Sequence, residues 1–351
     1  MNKILSFEEA ICDAEQYPMR HLILGNGFSI GCFPEIFDYS SLFDQVNFEI
    51  AQQLQEVFRV LKTHDFEIVI KALERSRNIL PIYLSNSKIF NDIENHANQL
   101  KKFLIQVISA KHPHFPSDVS EEKYQNCQKF LKYFLDKTKP GMVYTLNYDL
   151  LLYWVLMHDK DSLNYLYKDD GFGNVEDDVE TSYLVWPGVT NSAGKQRIHF
   201  LHGAMHLFDA GHELKKYSSK RKGISIVDQV QNSISNNEFP LFVSEATSEK
   251  KLSKIKHHDY LSHSYRSLSK NCKSKSCFFI YGHSLSHNDN HILERLAKGS
   301  FPKLYVSIYG NPESDANKLL MRKVSHMRES RSLRNPLAVS FYDATSAKVW
   351  G

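Results

Sequence analysis

Four hydrophobic segments, far apart along the chain, each break into a short loop of glycines and polar side chains, and that repeated design narrows the fold most. Residues 21–24 run into Gly25, Asn26, Gly27, Phe28 and Ser29, and residues 142–146 run into Asn147, Tyr148 and Asp149. Residues 198–201 lead to His202 and Gly203, and residues 277–281 lead to Gly282, His283 and Ser284. Apolar runs of this length read as buried strands. In an open α/β sheet, ligands sit beyond the carboxyl ends of the strands, so residues just after strands converge on one crevice. Glycine lets backbone N–H groups approach a phosphate, while Asn, Asp and His supply hydrogen bonds and proton transfer. The set reads as a nucleotide site with chemistry attached.

Between the first two of these segments the texture is helical. Leu100, Phe103, Leu104, Val107 and Ile108 follow the i, i+3, i+4, i+7, i+8 pattern of an amphipathic helix. Residues 48–61, 66–80 and 124–135 have the same character, and Pro113 and Pro116 break the run. Residues 36–138 are therefore expected to form a helical insertion, with 1–35 and 139–351 as the nucleotide-binding core. The remainder predicts a helix over 150–158, strands over 277–281, 304–309 and 337–342, and a helix over 290–298. Two basic stretches, 215–222 and 250–256, and an acidic one at 176–178 complete the pattern. Strands alternating with helices predict an α/β fold with a Rossmann-like, mostly parallel sheet carrying an inserted helical subdomain.

A net charge of +3 over 351 residues is too mild to argue for direct nucleic-acid contact. The apolar run from Leu150 to Met157 has core-helix length, so no membrane span is expected. The first residues lack a signal peptide's apolar region. Five scattered cysteines fit reduced thiols in a cytoplasm better than a disulfide framework. Cys272 and Cys277 have no second pair to complete a zinc ribbon.

Within the crevice, Gly25 to Ser29 resembles the first-strand turn that cradles a pyrophosphate, although Gly31 comes one place too late for the dinucleotide fingerprint. Asp149 stands where it could cap the helix that follows or meet a ligand. Asn147, at a strand end, can orient a water or a ribose hydroxyl. His202 is placed to take a proton near neutral pH; His199 and His206 are expected to point elsewhere. Gly282, His283 and Ser284 would complete the rim, and Gly310 and Asn311 after the next strand would border an adenine or ribose.

The ordered set Gly25-x-Gly27-x-Ser29, Thr145-Leu146-Asn147-Tyr148-Asp149, Leu201-His202-Gly203 and Gly282-x-Ser284-Leu285 resembles the sirtuin-like domain of bacterial NAD-consuming defence proteins. Sirtuins carry Gly-Ala-Gly-x-Ser, Thr-x-Asn-x-Asp, a catalytic histidine before glycine, and a late Gly-[Thr/Ser]-Ser-Leu. The likeness covers residues 20–35 and 140–345. Asn26 departs from the family's alanine, and the four-cysteine zinc module of the protein deacylases is missing. The resemblance implies an NAD glycohydrolase that depletes NAD in anti-phage abortive infection, with NAD as substrate and no metal. Asn147, His202 and Asp149 would be catalytic, and the glycine loop and the residue 282–284 loop would bind the nucleotide. A homo-oligomer, or a companion sensor or ATPase protein, would supply control.

Two rivals follow from the residues. A non-catalytic nucleotide-binding module would need the same loops but leave Asn147 and His202 idle. A metal-dependent hydrolase could use His283, His287 and His291, spaced four apart, with Asp289 among them.

Overall fold

The computed structural model describes residues 3–351 apart from 39–42, 45, 47, 49–51, 86, 139, 159–165, 174–182, 190–195, 219–223, 237 and 246. Its strands are β1 (Ile4–Leu5), β2 (Arg20–Leu24), β3 (Val143–Thr145), β4 (Tyr183–Val185), β5 (Ile198–Phe200), β6 (Leu207–Asp209), β7 (Leu214–Tyr217), β8 (Cys277–Tyr281), β9 (Lys303–Ile308) and β10 (Ala338–Asp343). Seven form one sheet in the order β1-β10-β9-β8-β2-β3-β5, with every pairing parallel. The chain winds outward from β2 through β3 to β5, crosses back, and winds outward the other way from β8 through β9 to β10. That is a Rossmann-like α/β order, and its switch point lies between β2 and β8.

The strands are apolar on both sides because helices cover both faces. Phe279 of β8 meets Phe134 at 5.3 Å and Tyr281 meets Phe130 at 5.3 Å, so the helix Glu121–Leu135 lies on one face. Phe7 joins that layer from the helix Phe7–Asp13. Side chains alternate along a strand, so Tyr144 and His199 point to the other face. There the helix Asp259–Asn271 receives them: Tyr144 Oη is 3.1 Å from Ser267 Oγ, and His199 lies within 3.3 Å of Ser264 Oγ and 3.0 Å of Ser267 Oγ. His199 is thus a hydrogen-bonded core residue.

Between β2 and β3 the described residues hold helices and no strand. The last of these helices, Glu121–Leu135, belongs to the sheet's own covering layer. Gln52–Leu61, Phe66–Ile79 and Ser87–Lys111 precede it. Asp65 starts the helix Phe66–Ile79 by accepting the amides of Glu67 at 2.8 Å and Ile68 at 3.3 Å.

A second sheet, β4-β7-β6, is antiparallel and has no counterpart in the sequence reading. Its strands are three or four residues long, and the central one, β7, carries Lys215 and Lys216. One of these, Lys216, is buried against Asp170 at 2.5 Å. The acidic run 176–178 lies outside the described residues. Among the described residues, no helix is long and apolar enough to cross a membrane.

Candidate functional site

At the switch point the two halves of the sheet are joined backbone to backbone. Gly25 N–H donates to Tyr281 O at 3.0 Å, and Gly27 N–H donates to Gly282 O at 2.8 Å. Gly282 has φ +67°, and a Cβ there would stand 2.6 Å from Phe28 N; only glycine fits. The expected phosphate cradle is corrected by this geometry. Phe28 N–H donates to Gly25 O and Ser29 N–H to Asn26 O, so four of the loop's five amides bond within the protein. The glycines are needed for the close approach of two loops. Phe28 is buried beneath Trp350, whose indole N–H donates to Phe28 O at 2.6 Å. Asn26 turns its amide to Phe37 O at 3.1 Å.

Ser29, Asn147 and Asp149 are brought together under this loop. Asn147 Nδ2 donates to Gly25 O at 3.1 Å and to Ser29 Oγ at 2.9 Å; Ser29 Oγ donates to Asp149 Oδ2 at 2.5 Å. Both amide hydrogens of Asn147 are therefore spent on the protein, and its carbonyl oxygen is the atom left to meet a ligand. Asp149 Oδ1 accepts the amide of Leu151 at 2.9 Å, at the start of the helix Leu151–Met157. Burial raises the Asp149 carboxyl above its ordinary pKa, while the bonds from Ser29 and Leu151 oppose the rise. The capping reading of Asp149 is the one its contacts support.

His202 follows β5 in a turn that requires Gly203, whose φ is +79° and whose Cβ would meet Leu241 O at 1.8 Å. The imidazole is buried. Its Nε2 lies 3.0 Å from His291 Nε2 and 3.9 Å from Asp289 Oδ1. His291 opens the helix Asn290–Ala297, and Asp289 ends the single turn His287–Asp289 before it. Lys251, on the helix Ser248–His257, donates to Asp289 Oδ1 at 3.1 Å and to both oxygens of Glu67 at 3.0 Å. His283 Nε2 donates to Asp289 Oδ2 at 3.2 Å, and its Nδ1 accepts the Leu285 amide at 2.8 Å. Leu285 itself is held at φ +53°, a left-handed conformation uncommon for a side chain of that size.

The electrostatics follow from burial. His202 is pushed well below 6.5 by desolvation and then by the Lys251 ammonium, and His291 is lowered to about 4, mainly by desolvation. Both imidazoles are neutral near pH 7. Burial alone would raise Asp289, but the His283 hydrogen bond and the Lys251 charge outweigh it and hold the carboxylate ionised.

Asn147 and His202 end neighbouring strands and are linked through Tyr148, whose ring centroid is 6.4 Å from that of His202. His283 stands against the glycine loop, since a Cβ on Gly25 would meet His283 Cβ at 2.7 Å. One connected region thus runs from Ser29 and Asn147 through His283 to Asp289 and His202. Other expected residues fall outside it: Ser284 is exposed, as are Gly310 and Asn311. Asn311 orders its own turn, accepting Glu313 N–H at 2.9 Å. His287 is exposed too, so the triplet spaced by four does not assemble. The potential ligand atoms of His202, Asp289 and His291 lie within 4.8 Å of one another instead. Beside the cluster opens a cavity of about 390 Å³ whose lining includes Lys71, Arg75, His287 and Lys323.

Sequence reasoning missed Lys251 and Glu67. Lys251 sat in a stretch read only as basic, and it is 1% exposed. The spacing of Lys251 to the equally buried Ile255 is one helical turn, the signal that was there to find.

No curated protein matches the chain. A family described as "Domain of unknown function (DUF4917)" matches residues 22–350, and the chain belongs to that family.

Proposed function

We propose that the chain cleaves the nicotinamide–ribose bond of NAD. The observation that carries the reading is the placement of Asn147 and His202 just beyond the carboxyl ends of adjacent parallel strands, beside the switch point of a Rossmann-like sheet. Loss of nicotinamide leaves oxocarbenium character on the ribose, which water attacks from the opposite face. The Asn147 carbonyl oxygen orients that water or a ribose hydroxyl. Neutral His202 takes the proton, and the imidazole of His291, 3.0 Å away, shares it. The diphosphate would meet the cationic mouth formed by Lys71, Arg75 and Lys323 rather than the glycine loop, whose amides are engaged. Because His202 is 2% exposed, substrate entry requires the loop around Leu285 or the helix Phe66–Ile79 to move. A role as a cytoplasmic effector that depletes NAD, controlled by further copies or a companion protein, rests on the sirtuin-like motifs alone.

Incubation of the purified chain with NAD, resolving nicotinamide, ADP-ribose and cyclic ADP-ribose, tests the reading. Release of nicotinamide supports it; binding of NAD with no product would favour a regulatory nucleotide-binding module. One observation favours that second reading, namely the commitment of both Asn147 amide hydrogens within the protein.

A further inference from the structure

The His202 cluster has the makings of a metal site. We infer that His202, Asp289 and His291 bind a divalent first-row transition ion, Zn²⁺ above all, and that the ion holds the proposed catalytic histidine out of use. The inhibitory half rests on the proposed NAD cleavage; the binding half does not.

Two imidazole nitrogens and one carboxylate oxygen are a donor set that suits Zn²⁺, and three protein ligands leave a fourth position for water. Zn–N bonds of ordinary length in a tetrahedron set the nitrogens about 3.3 Å apart; here they are 3.0 Å apart. The Asp289 oxygen, 3.9 Å from His202 Nε2, needs to close by about 0.6 Å to reach that spacing, and all three ligand atoms lie within 4.8 Å of one another. The outer contacts that orient ligands are in place. Ser248 Oγ lies 3.3 Å from His291 Nδ1, and His283 grips the second oxygen of Asp289. On binding, His291 carries its ring hydrogen at Nδ1, where Ser248 Oγ accepts it, and Nε2 turns its lone pair to the ion. His202 likewise gives Nε2 to the ion, so that nitrogen no longer accepts a substrate proton.

Charge points the same way. Glu67 and Asp289 face the single ammonium of Lys251, and Asp65 lies close by at the start of the same helix as Glu67. The buried group therefore has more carboxyl groups than ammonium groups. Lys251 occupies one lone pair of Asp289 Oδ1 and leaves the other for the ion.

The test uses the full chain, freed of metal by a chelator and titrated with Zn²⁺ by calorimetry. One equivalent is expected to bind, and Asp289→Asn and His291→Gln should each weaken binding by about tenfold or more. Circular dichroism confirms that the variants fold. If either does not, Co²⁺ added to the wild-type chain gives the answer: a nitrogen and oxygen ligand field supports the site, and thiolate charge transfer overturns it. Unchanged affinity in both folded variants, or binding of well under one equivalent, also overturns it. In parallel, nicotinamide release should fall as Zn²⁺ saturates the site and return with chelator. Zinc binding at the triad in a chain that never cleaves NAD would sink the NAD reading and leave the site; cleavage indifferent to bound zinc would sink the inhibition.

Discussion

The ammonium of Lys251 lies 3.0 Å from both carboxylate oxygens of Glu67 and 3.1 Å from Asp289 Oδ1. A helix that precedes β3 by many residues and the loop after β8 are thereby fastened to the same buried charge. Removing one member of such a group leaves the others uncompensated, and that costs more than the group contributes as a whole.

Lys251→Met is therefore expected to destabilise the fold by about 3–5 kcal/mol. The double variant Lys251→Met with Glu67→Gln should recover part of that loss, because a buried negative charge leaves with its partner. Urea unfolding of both singles and the double measures the coupling. Additive effects would show that the two groups do not interact.

Gly282→Ala places a methyl 2.6 Å from Phe28 N at a residue held at φ +67°. Strain of that kind and the displaced neighbour together should cost about 1–3 kcal/mol. The denaturation midpoint of the variant against wild type reads it directly. An equal substitution at Gly173, where a Cβ meets nothing within 4 Å, serves as the contrast.

His112 gives a pH signature. Its Nε2 accepts the Leu150 amide at 2.9 Å and its Nδ1 donates to Pro113 O at 2.8 Å, so the neutral ring has both nitrogens occupied. Burial lowers its pKa from 6.5 to about 4. A lowered folded pKa means that the unfolded chain binds the proton first. The stabilisation is complete above pH 6.5 and is lost as pH falls towards about 4. In that window this one group contributes a slope of about 1.4 kcal/mol per pH unit. His112→Gln should flatten the stability profile by that amount, whatever its effect at pH 8; an unchanged slope would place the proton uptake elsewhere.

For the proposed reaction, His202→Ala and Asn147→Ala are each expected to lower nicotinamide release by roughly a hundredfold, through loss of a base and of attack geometry respectively. Near-normal turnover in either variant, with folding verified, contradicts the assignment.

Much of the sheet was legible because its strands are short unbroken apolar runs, which fit a layer covered on both faces. Residues 277–281 are strand throughout, and the later strands differ by a residue at their ends. The two-residue β1 and the antiparallel β4-β7-β6 sheet were not legible, since a few mixed residues carry no period of their own. At the site, the sequence brought Asn147 and His202 forward because each ends a strand. It gave no hint that His202 meets His291, because that contact depends on where the loop after β8 folds back. The glycine loop was misread for a physical reason: a glycine that admits a phosphate and one that admits a second backbone look alike in sequence.

The last of the described strands, β10, lies between β9 and the first, β1, with Ile4 opposite Phe341 and Leu5 opposite Tyr342. Until residue 343 has left the ribosome, β1 has no partner and the β9 edge stays open. Local helices can form early, but completion of the sheet waits on the pairing of Ile4 with Phe341, far apart in sequence. A nascent chain stalled before residue 338 would carry an unpaired apolar edge, the kind of surface on which aggregation begins and which chaperones and proteases act upon.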